Sequence, residues 1–525
     1  MVMVLFSDSL KTDALIVFVG ALTLFYWFIR RNYTYWERKG FKTLPGCKYF
    51  VGHFKSTVTQ IESISNIVLK LYETTNEPFI GFYSLIRPTL MIRDPELARL
   101  ILIKDFSHFP HRGIHCNEDY DILSGNLVSL PPEKWRNLRA KLTPTFTSGK
   151  LKAMFHTLLD CGSTLQSHLE KLANNGELLD VREIAASHAT NVIASVGFGI
   201  DVDCINDPNN EFRVNGRKIF ESTIINAARR LVSVLFPTLM DVLRIKTFHS
   251  SIERFIVSIV KQNLDYREQN HVIRKDFFQL LIQLRNTGTV QLDDDQWDTV
   301  IKTDEKQKQM TLNEIVAQCF VFFAAGFETS STTLSFCLYE LAKNSEIQQR
   351  VHDEIDHILQ KFDGQITYES ISEMKYLETC IEETLRKYPI VAALPRSCAK
   401  DYQIPGTDKI IEKGVEVIVP VAGFHKDKRY YEDPYKFNPD RFNEENSNGK
   451  NQINRPYYPF GDGPRNCIAM RMGKMQTKVG LVLMLQKFRF DLLENKQKYK
   501  ELDFDPKSIL LAPKSGIYLR IFKRI

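Results

Sequence analysis

One cysteine in this chain stands in surroundings that suit it to chemistry. Cys467 closes the stretch Phe460-Gly461-Asp462-Gly463-Pro464-Arg465-Asn466-Cys467, a glycine-rich loop. The loop opens onto residues 470–488, where Val479, Leu481, Val482, Met484 and Leu485 fall at helical spacing. The sulfur therefore sits at or near a helix N-terminus, where free amides and the positive end of the helix dipole favour an anion. Gly461 and Gly463 let backbone amides approach it, and Arg465 adds a positive charge nearby. That setting suits a thiolate metal ligand. The alternative for a lone cysteine is a buried packing role.

Three further constellations carry polar residues that packing alone does not require. Glu328-Thr329 places an acid beside an alcohol in Ala325-Gly326-Phe327-Glu328-Thr329-Ser330, inside a long apolar helical pattern from Thr311 to Asn344. Thr311 with Glu314 has the form of a capping box, and mid-helix Gly326 invites a kink. The acid–alcohol pair suits proton delivery, although a helical threonine can equally bond back to its own helix. Glu383-Thr384-Leu385-Arg386 holds an acid and a base three apart, ordinarily a weak surface pair. Trp135 and Arg139 lie four apart on one helical face, a spacing that also suits a surface cation–π pair.

Taken in order, these segments resemble the cytochrome P-450 superfamily. The row ending at Cys467 matches its haem signature Phe-x-x-Gly-x-Arg-x-Cys-x-Gly, with Ala469 at the last position. The resemblance runs from about residue 42 to residue 525 and looks most like animal microsomal members, particularly the insect detoxification branch. It implies a mainly helical α+β fold with small sheets, and haem b held by Cys467 as the sole protein ligand to iron. Trp135, Arg139, Arg396 and Arg465 would be the remaining haem-binding residues. Glu383, Arg386 and Arg441 would form a buried structural triad, and Glu328 with Thr329 the proton relay. The substrate pocket would draw on Phe109, Phe320, Phe323, Ala324, Val391, Leu394 and Leu510. Local patterns agree with the sheets, with strand-like runs at 79–83 and 89–92 and alternation at 415–419.

The 525 residues carry 43% hydrophobic residues and no linker-like division after residue 50, so residues 45–525 read as one catalytic domain. The most linker-like stretch, residues 286–310, contains Asp293-Asp294-Asp295 and Lys306-Gln307-Lys308; residues 443–454 read as a second surface loop. Residues 14–29 are apolar apart from Gly20 and Thr23 and are followed by Arg30-Arg31. Asp8 and Asp13 occupy the place of a signal's basic region, and Trp27, Tyr33, Tyr35 and Trp36 look like an interfacial belt. Residues 1–31 are thus expected to be one uncleaved transmembrane anchor and 32–44 a linker, with the catalytic domain on the cytosolic side. Nine cysteines with no C-x-x-C pair fit a reducing compartment and argue against a zinc site. Cys319, Cys337 and Cys380 read as core residues, and His425 as structural.

A net charge of +6 with interleaved acidic residues argues against a nucleic-acid footprint. Lys134, Arg136, Lys141, Lys150 and Lys152, with Arg471 and Lys474, suggest a basic face for an acidic electron donor. No nicotinamide fingerprint occurs, so electrons must come from outside. The resemblance implies NADPH-cytochrome reductase, with its flavins, in that role, with cytochrome b5 a further candidate partner. It also implies the endoplasmic reticulum membrane, a lipophilic small-molecule substrate, and insertion of one atom of O2 into it. Xenobiotic and hormone or lipid metabolism both fit. Two competitors remain: a haem-thiolate isomerase or dehydratase, which commonly lacks the acid–alcohol pair, and a non-catalytic membrane haem sensor or carrier.

Overall fold

The computed structural model describes residues 10–290, 310–443, 455–493 and 502–524. The expected loop positions 291–309 and 444–454, and Asp8, lie outside the described residues. Among these described residues the architecture is mainly helical, arranged around one buried helix, with three small sheets.

The central helix spans Leu312–Lys343. Its start is set as the sequence indicates: the Thr311 hydroxyl accepts from Glu314 N at 3.2 Å, and Thr311 N donates to the Glu314 carboxylate at 2.7 Å. At 1.5 Å per residue it runs about 48 Å, and most of its residues are buried. It packs against helix Val181–Ile193 on one side and helix Met470–Leu485 on the other. Gly326 serves that first contact. A Cβ there would stand 2.5 Å from Ile193 Cδ1, so glycine lets the two helices approach while the central helix continues unbroken.

Strands β1 (Phe79–Ser84) and β2 (Arg87–Ile92) form a hairpin. The other strands are β3 (Leu178–Asp180), β4 (Leu394–Ser397), β5 (Tyr402–Gln403) and β6 (Ile410–Ile411). They are completed by β7 (Glu416–Val419), β8 (Phe488–Leu492) and β9 (Tyr518–Lys523). The largest sheet has the order β1-β2-β7-β4, with β7 parallel to β2 (Leu90↔Val417) and β4 antiparallel to β7 (Arg396↔Val417). A second joins β3, β9 and β8, and a third pairs β5 with β6. Phe488 opens β8 and ends the apolar run after Cys467, so that helix is shorter than the hydrophobic pattern suggests.

The first helix, Leu10–Tyr33, is long enough to cross a bilayer and lies almost wholly outside the protein. The central helix has the length too but is mostly buried, as a core helix is. The expected aromatic belt divides. Trp27 is exposed, but Trp36 is buried, its ring lying over Gly81 and its Nε1–H donating to Phe82 O at 3.0 Å. Tyr33 OH donates to Leu85 O and Tyr83 OH donates to Tyr33 O. Residues 33–36 are thus fastened to the β1–β2 hairpin, because their aromatic rings bury more favourably against the sheet than in an open linker.

Candidate active site

The cysteine loop is shaped by its glycines. Gly461 and Gly463 have φ of +73° and +69°, the left-handed region that side-chain-bearing residues rarely adopt. A Cβ on Gly463 would also collide with Leu102 O, so the loop lies flat on the segment that follows β2. Cys467 N donates to Phe460 O at 2.8 Å, closing the loop, and the helix begins at Met470. Cys467 has accessible surface yet is surrounded by protein, as a side chain on the wall of an interior recess would be. Burial raises its thiol above the ordinary range, while the Ala469 N–H, Arg139 and Arg112 pull the other way. The helix terminus and arginines alone therefore do not outweigh burial. A metal cation at the sulfur would favour the thiolate.

Four arginines surround the loop. Arg139 donates to Asn466 O and Asn466 Oδ1, both at 2.9 Å. Arg465 lies under the loop, donating to Pro110 O and Leu130 O at 3.1 Å, with its guanidinium 4.0 Å from the Trp135 ring centroid. Arg396, from β4, is buried; Nη1 donates to its neighbour Pro395 O, and Nε has no partner. Arg112 donates to Arg465 O at 2.7 Å. Burial lowers Arg465 to about 9 and both Arg396 and Arg112 to about 10, and mutual repulsion adds to it. None of the four has an ion-pair partner among the described residues. Such a cluster is poised for a multiply charged anion, and the orphaned Arg396 Nε is a donor waiting for one. Haem propionates fit this requirement as the Cys467 sulfur fits the iron. Arg112 was not legible in the sequence. Its one signal is a basic residue in the loop that begins at Phe109, and its contact spans 353 positions.

The acid–alcohol pair faces two ways, as neighbours about 100° apart on a helix must. Thr329 Oγ1 donates to Ala325 O at 2.7 Å, the back-bonded arrangement, which leaves its lone pairs free to accept. Glu328 points instead toward helix Val181–Ile193, 3.8 Å from Arg182, and burial raises its carboxyl while Arg182 and Arg213 oppose. Gly473, on the helix after Cys467, brings that helix to within ordinary contact of Ser330, so the cysteine helix and the pair share one wall.

Glu383 and Arg386 meet on helix Lys375–Lys387, both 0% exposed, with Nε and Nη2 donating to the carboxylate at 2.7 and 2.8 Å. Arg441 Nε stands 3.4 Å from the same carboxylate, and Asn438 N donates to it at 2.9 Å. Arg386 Nη1 reaches His425 O, and His425 Nε2 accepts from Tyr458 N, nine positions before Cys467. His425 is thus the link between the triad and the cysteine loop.

The expected pocket residues divide. Val391, Leu394 and Leu510 keep accessible surface, and Leu394 lies 3.8 Å from where a Gly461 Cβ would stand. Phe109 and Phe323 are 0% exposed, packed among other rings. Phe109 packs edge-on against Tyr402, and Phe323 is enclosed by Phe198, Phe212 and Phe327. Phe320 is buried against Phe248, and Ala324 nearly so. Aromatic rings on a mostly buried helix find ring partners before they find a cavity. The basic face also loses a member: Lys150 is buried, Lys152 pairs with Glu369, and Lys134 pairs with Glu118. All nine cysteines are free, and Cys319, Cys337 and Cys380 are buried core residues.

A glycine-shaped loop presenting Cys467 beside one long buried helix, with an arginine cluster next to it, suits haem held through a thiolate. The family described as Cytochrome P450 matches residues 44–520. "Probable cytochrome P450 6d5" of Drosophila melanogaster is 39% identical over 506 residues, covering 96% of this chain and 98% of the relative. "Cytochrome P450 6d3" of Musca domestica is 37% identical, covering 97% and 99%. "Cytochrome P450 6k1" of Blattella germanica is 37% identical, covering 99% of each. The chain belongs to the cytochrome P450 family, and with it come the monooxygenase class and haem b as cofactor.

Proposed function

We propose that this chain is an anchored monooxygenase of the endoplasmic reticulum that oxidises lipophilic foreign compounds, drawing electrons from NADPH through a flavin reductase. The observation that carries this reading is the set of four uncompensated arginines around the Cys467 loop. Cys467 would be the iron ligand, and Arg112, Arg139 and Arg396 would hold the propionates, with Trp135 and Arg465 bracing them. When bound, haem supplies the dioxygen chemistry, and the cysteine sulfur donates electron density to it.

The remaining residues govern protons and water. Thr329, with its own proton committed to Ala325 O, accepts a hydrogen bond on the cavity side and holds a water or hydroxyl in line there. Glu328, beside Arg182, is the acid from which that position is resupplied. Val391, Leu394 and Leu510 present apolar surface to the substrate, which favours a lipophilic one. The helix Leu10–Tyr33 supplies the membrane anchor. The retained acid and alcohol weigh against an isomerase or dehydratase, which needs no delivered proton. NADPH-dependent product formation with purified reductase is the direct test, since neither an isomerase nor a haem carrier consumes NADPH productively. Thr329→Ala should uncouple NADPH consumption from product by roughly tenfold or more, the scale of one lost proton-transfer contact. Unchanged coupling would remove Thr329 from the proton path.

A further inference from the structure

Residues 125–130 are buried apart from Val128 and belong to no helix or strand. They follow the 3-10 helix Ile122–Ser124 and lead into helix Pro132–Leu142, which carries Trp135 and Arg139. Irregular backbone inside a protein has no ladder to satisfy it, so its N–H and C=O groups must find other partners. Part of this need is met within the segment, where Ser129 N and Leu130 N donate to Asn126 O and Val128 N donates to Asn126 Oδ1. The rest is met by three long side chains from elsewhere. Gln318, on the central helix and 1% exposed, donates through Nε2 to Gly125 O and accepts from Leu127 N, both at 3.1 Å. Arg465 donates to Leu130 O at 3.1 Å and to Leu127 O at 3.5 Å, and Arg112 to Val128 O at 3.4 Å.

Leu127 joins the two sides. Its N–H goes to Gln318, and its C=O goes to Arg465, two residues before Cys467. Arg112 adds a second tie, since it also donates to Arg465 O. Gln318 therefore holds in place the carbonyls on which Arg465 rests, together with the lead-in to the helix of Arg139. On the central helix Gln318 stands eleven residues before Thr329. That separation is about three turns, so the two share a face of the helix about 16 Å apart along its axis. The clamp thus ties the helix that bears the acid–alcohol pair to the loop that bears the cysteine. A buried amide carries no charge and has no proton to give up at ordinary pH, so it acts here by fixing that segment.

We propose that Gln318 is a positioning residue for haem: it fixes residues 125–127, and through them the Arg465 fork and the cysteine loop, in the geometry that retains haem on a thiolate. The proposal rests on the reading of that loop and its arginines as the haem site. Losing the amide leaves Gly125 O and Leu127 N buried without a partner. The segment must then shift to find others, and the carbonyls under Arg465 shift with it.

The test uses the full-length holoenzyme and Gln318→Met, which keeps the length of the side chain and removes both bonds. Transfer of haem to excess apomyoglobin should be roughly tenfold faster than from wild type, the scale of one hydrogen bond to a charged group. The reduced carbon-monoxide complex should also lose part of its thiolate band to the band of inactive haem. Arg465→Lys keeps the charge but not the fork, and it should speed transfer as well. Adding Gln318→Met to it should change the rate by less than about twofold, because both act through the same carbonyls. A transfer rate unchanged in Gln318→Met, or rate factors that multiply in the double variant, would overturn the role. So would a lower yield of haem protein whose transfer rate and thiolate share equal those of wild type, which is what packing alone gives. Hydrogen exchange of the full chain is the second readout: in Gln318→Met, residues 127–130 should exchange faster while strands β8 and β9 do not. Unaltered exchange also overturns the clamp. If the wild-type chain takes up no haem, the haem reading fails, and the exchange comparison alone decides whether Gln318 fixes the segment.

Discussion

Replacing Glu383 by methionine leaves the Arg386 guanidinium, 0% exposed, with no carboxylate against its Nε and Nη2. It also frees Asn438 N and deprives Arg441 of its carboxylate, leaving it the bond to Asp433 O. Stranding a buried charge costs about 3–5 kcal/mol; Arg386→Met costs less, because the carboxylate keeps Arg441 Nε and Asn438 N, while His425 O is freed. The double variant strands no charge on that helix. Its remaining penalty is the two backbone groups, about 1–3 kcal/mol each, and the carboxylate lost by Arg441, which the Glu383 single variant loses as well, so it should fall well short of the sum of the single losses. The expected coupling is therefore about 3 kcal/mol or more in favour of the double variant. Guanidinium titration of the full chain in detergent, followed by far-ultraviolet circular dichroism at fixed incubation time, measures it. The haem content of each variant should fall in the same order, because His425 and Tyr458 carry the disturbance to the cysteine loop. Single variants within about 1 kcal/mol of wild type, or strict additivity, would refute the argument that charge burial rather than packing dominates here.

Trp36→Ala should cost about 3–5 kcal/mol, the range for a buried aromatic truncation, although it lies outside the matched catalytic region; a denaturant midpoint unchanged from wild type would show that residues 33–36 are a free linker. Acid should weaken the fold through its buried imidazoles. Burial lowers His425 to about 3 and His188 and His352 to about 4. In the unfolded chain these groups bind protons near pH 6.5, so the unfolded state takes up more protons throughout the window below that. Stability should then fall as pH drops from about 6.5 toward 4, and His188→Leu should flatten the slope. A denaturant midpoint independent of pH over this range would contradict the assignment of buried, neutral rings.

Much of the site could be read from the chain because its signals are local. The loop before Cys467, the Glu383–Arg386 spacing and the Thr311–Glu314 cap each lie within a few residues, where backbone geometry fixes what a side chain can reach. What stayed hidden joins distant segments. Arg112 reaches Arg465, and Asp241 gathers donors more than a hundred positions away. The same limit applies to Phe109 and Phe323. Their position on the right elements was legible, but whether a ring faces a cavity or another ring is decided by tertiary packing. Trp36 shows the same override at the anchor, where an aromatic beside a membrane helix was drawn into the sheet instead.

The central claim is that Cys467 holds haem iron as a thiolate, and the carbon-monoxide difference spectrum of the reduced, full-length protein in microsomes tests it most directly. The wild-type chain should give the red-shifted Soret band diagnostic of thiolate ligation, and Cys467→Ser should abolish it. A normal thiolate spectrum in Cys467→Ser, or a histidine-type band in freshly folded wild type, would contradict the account.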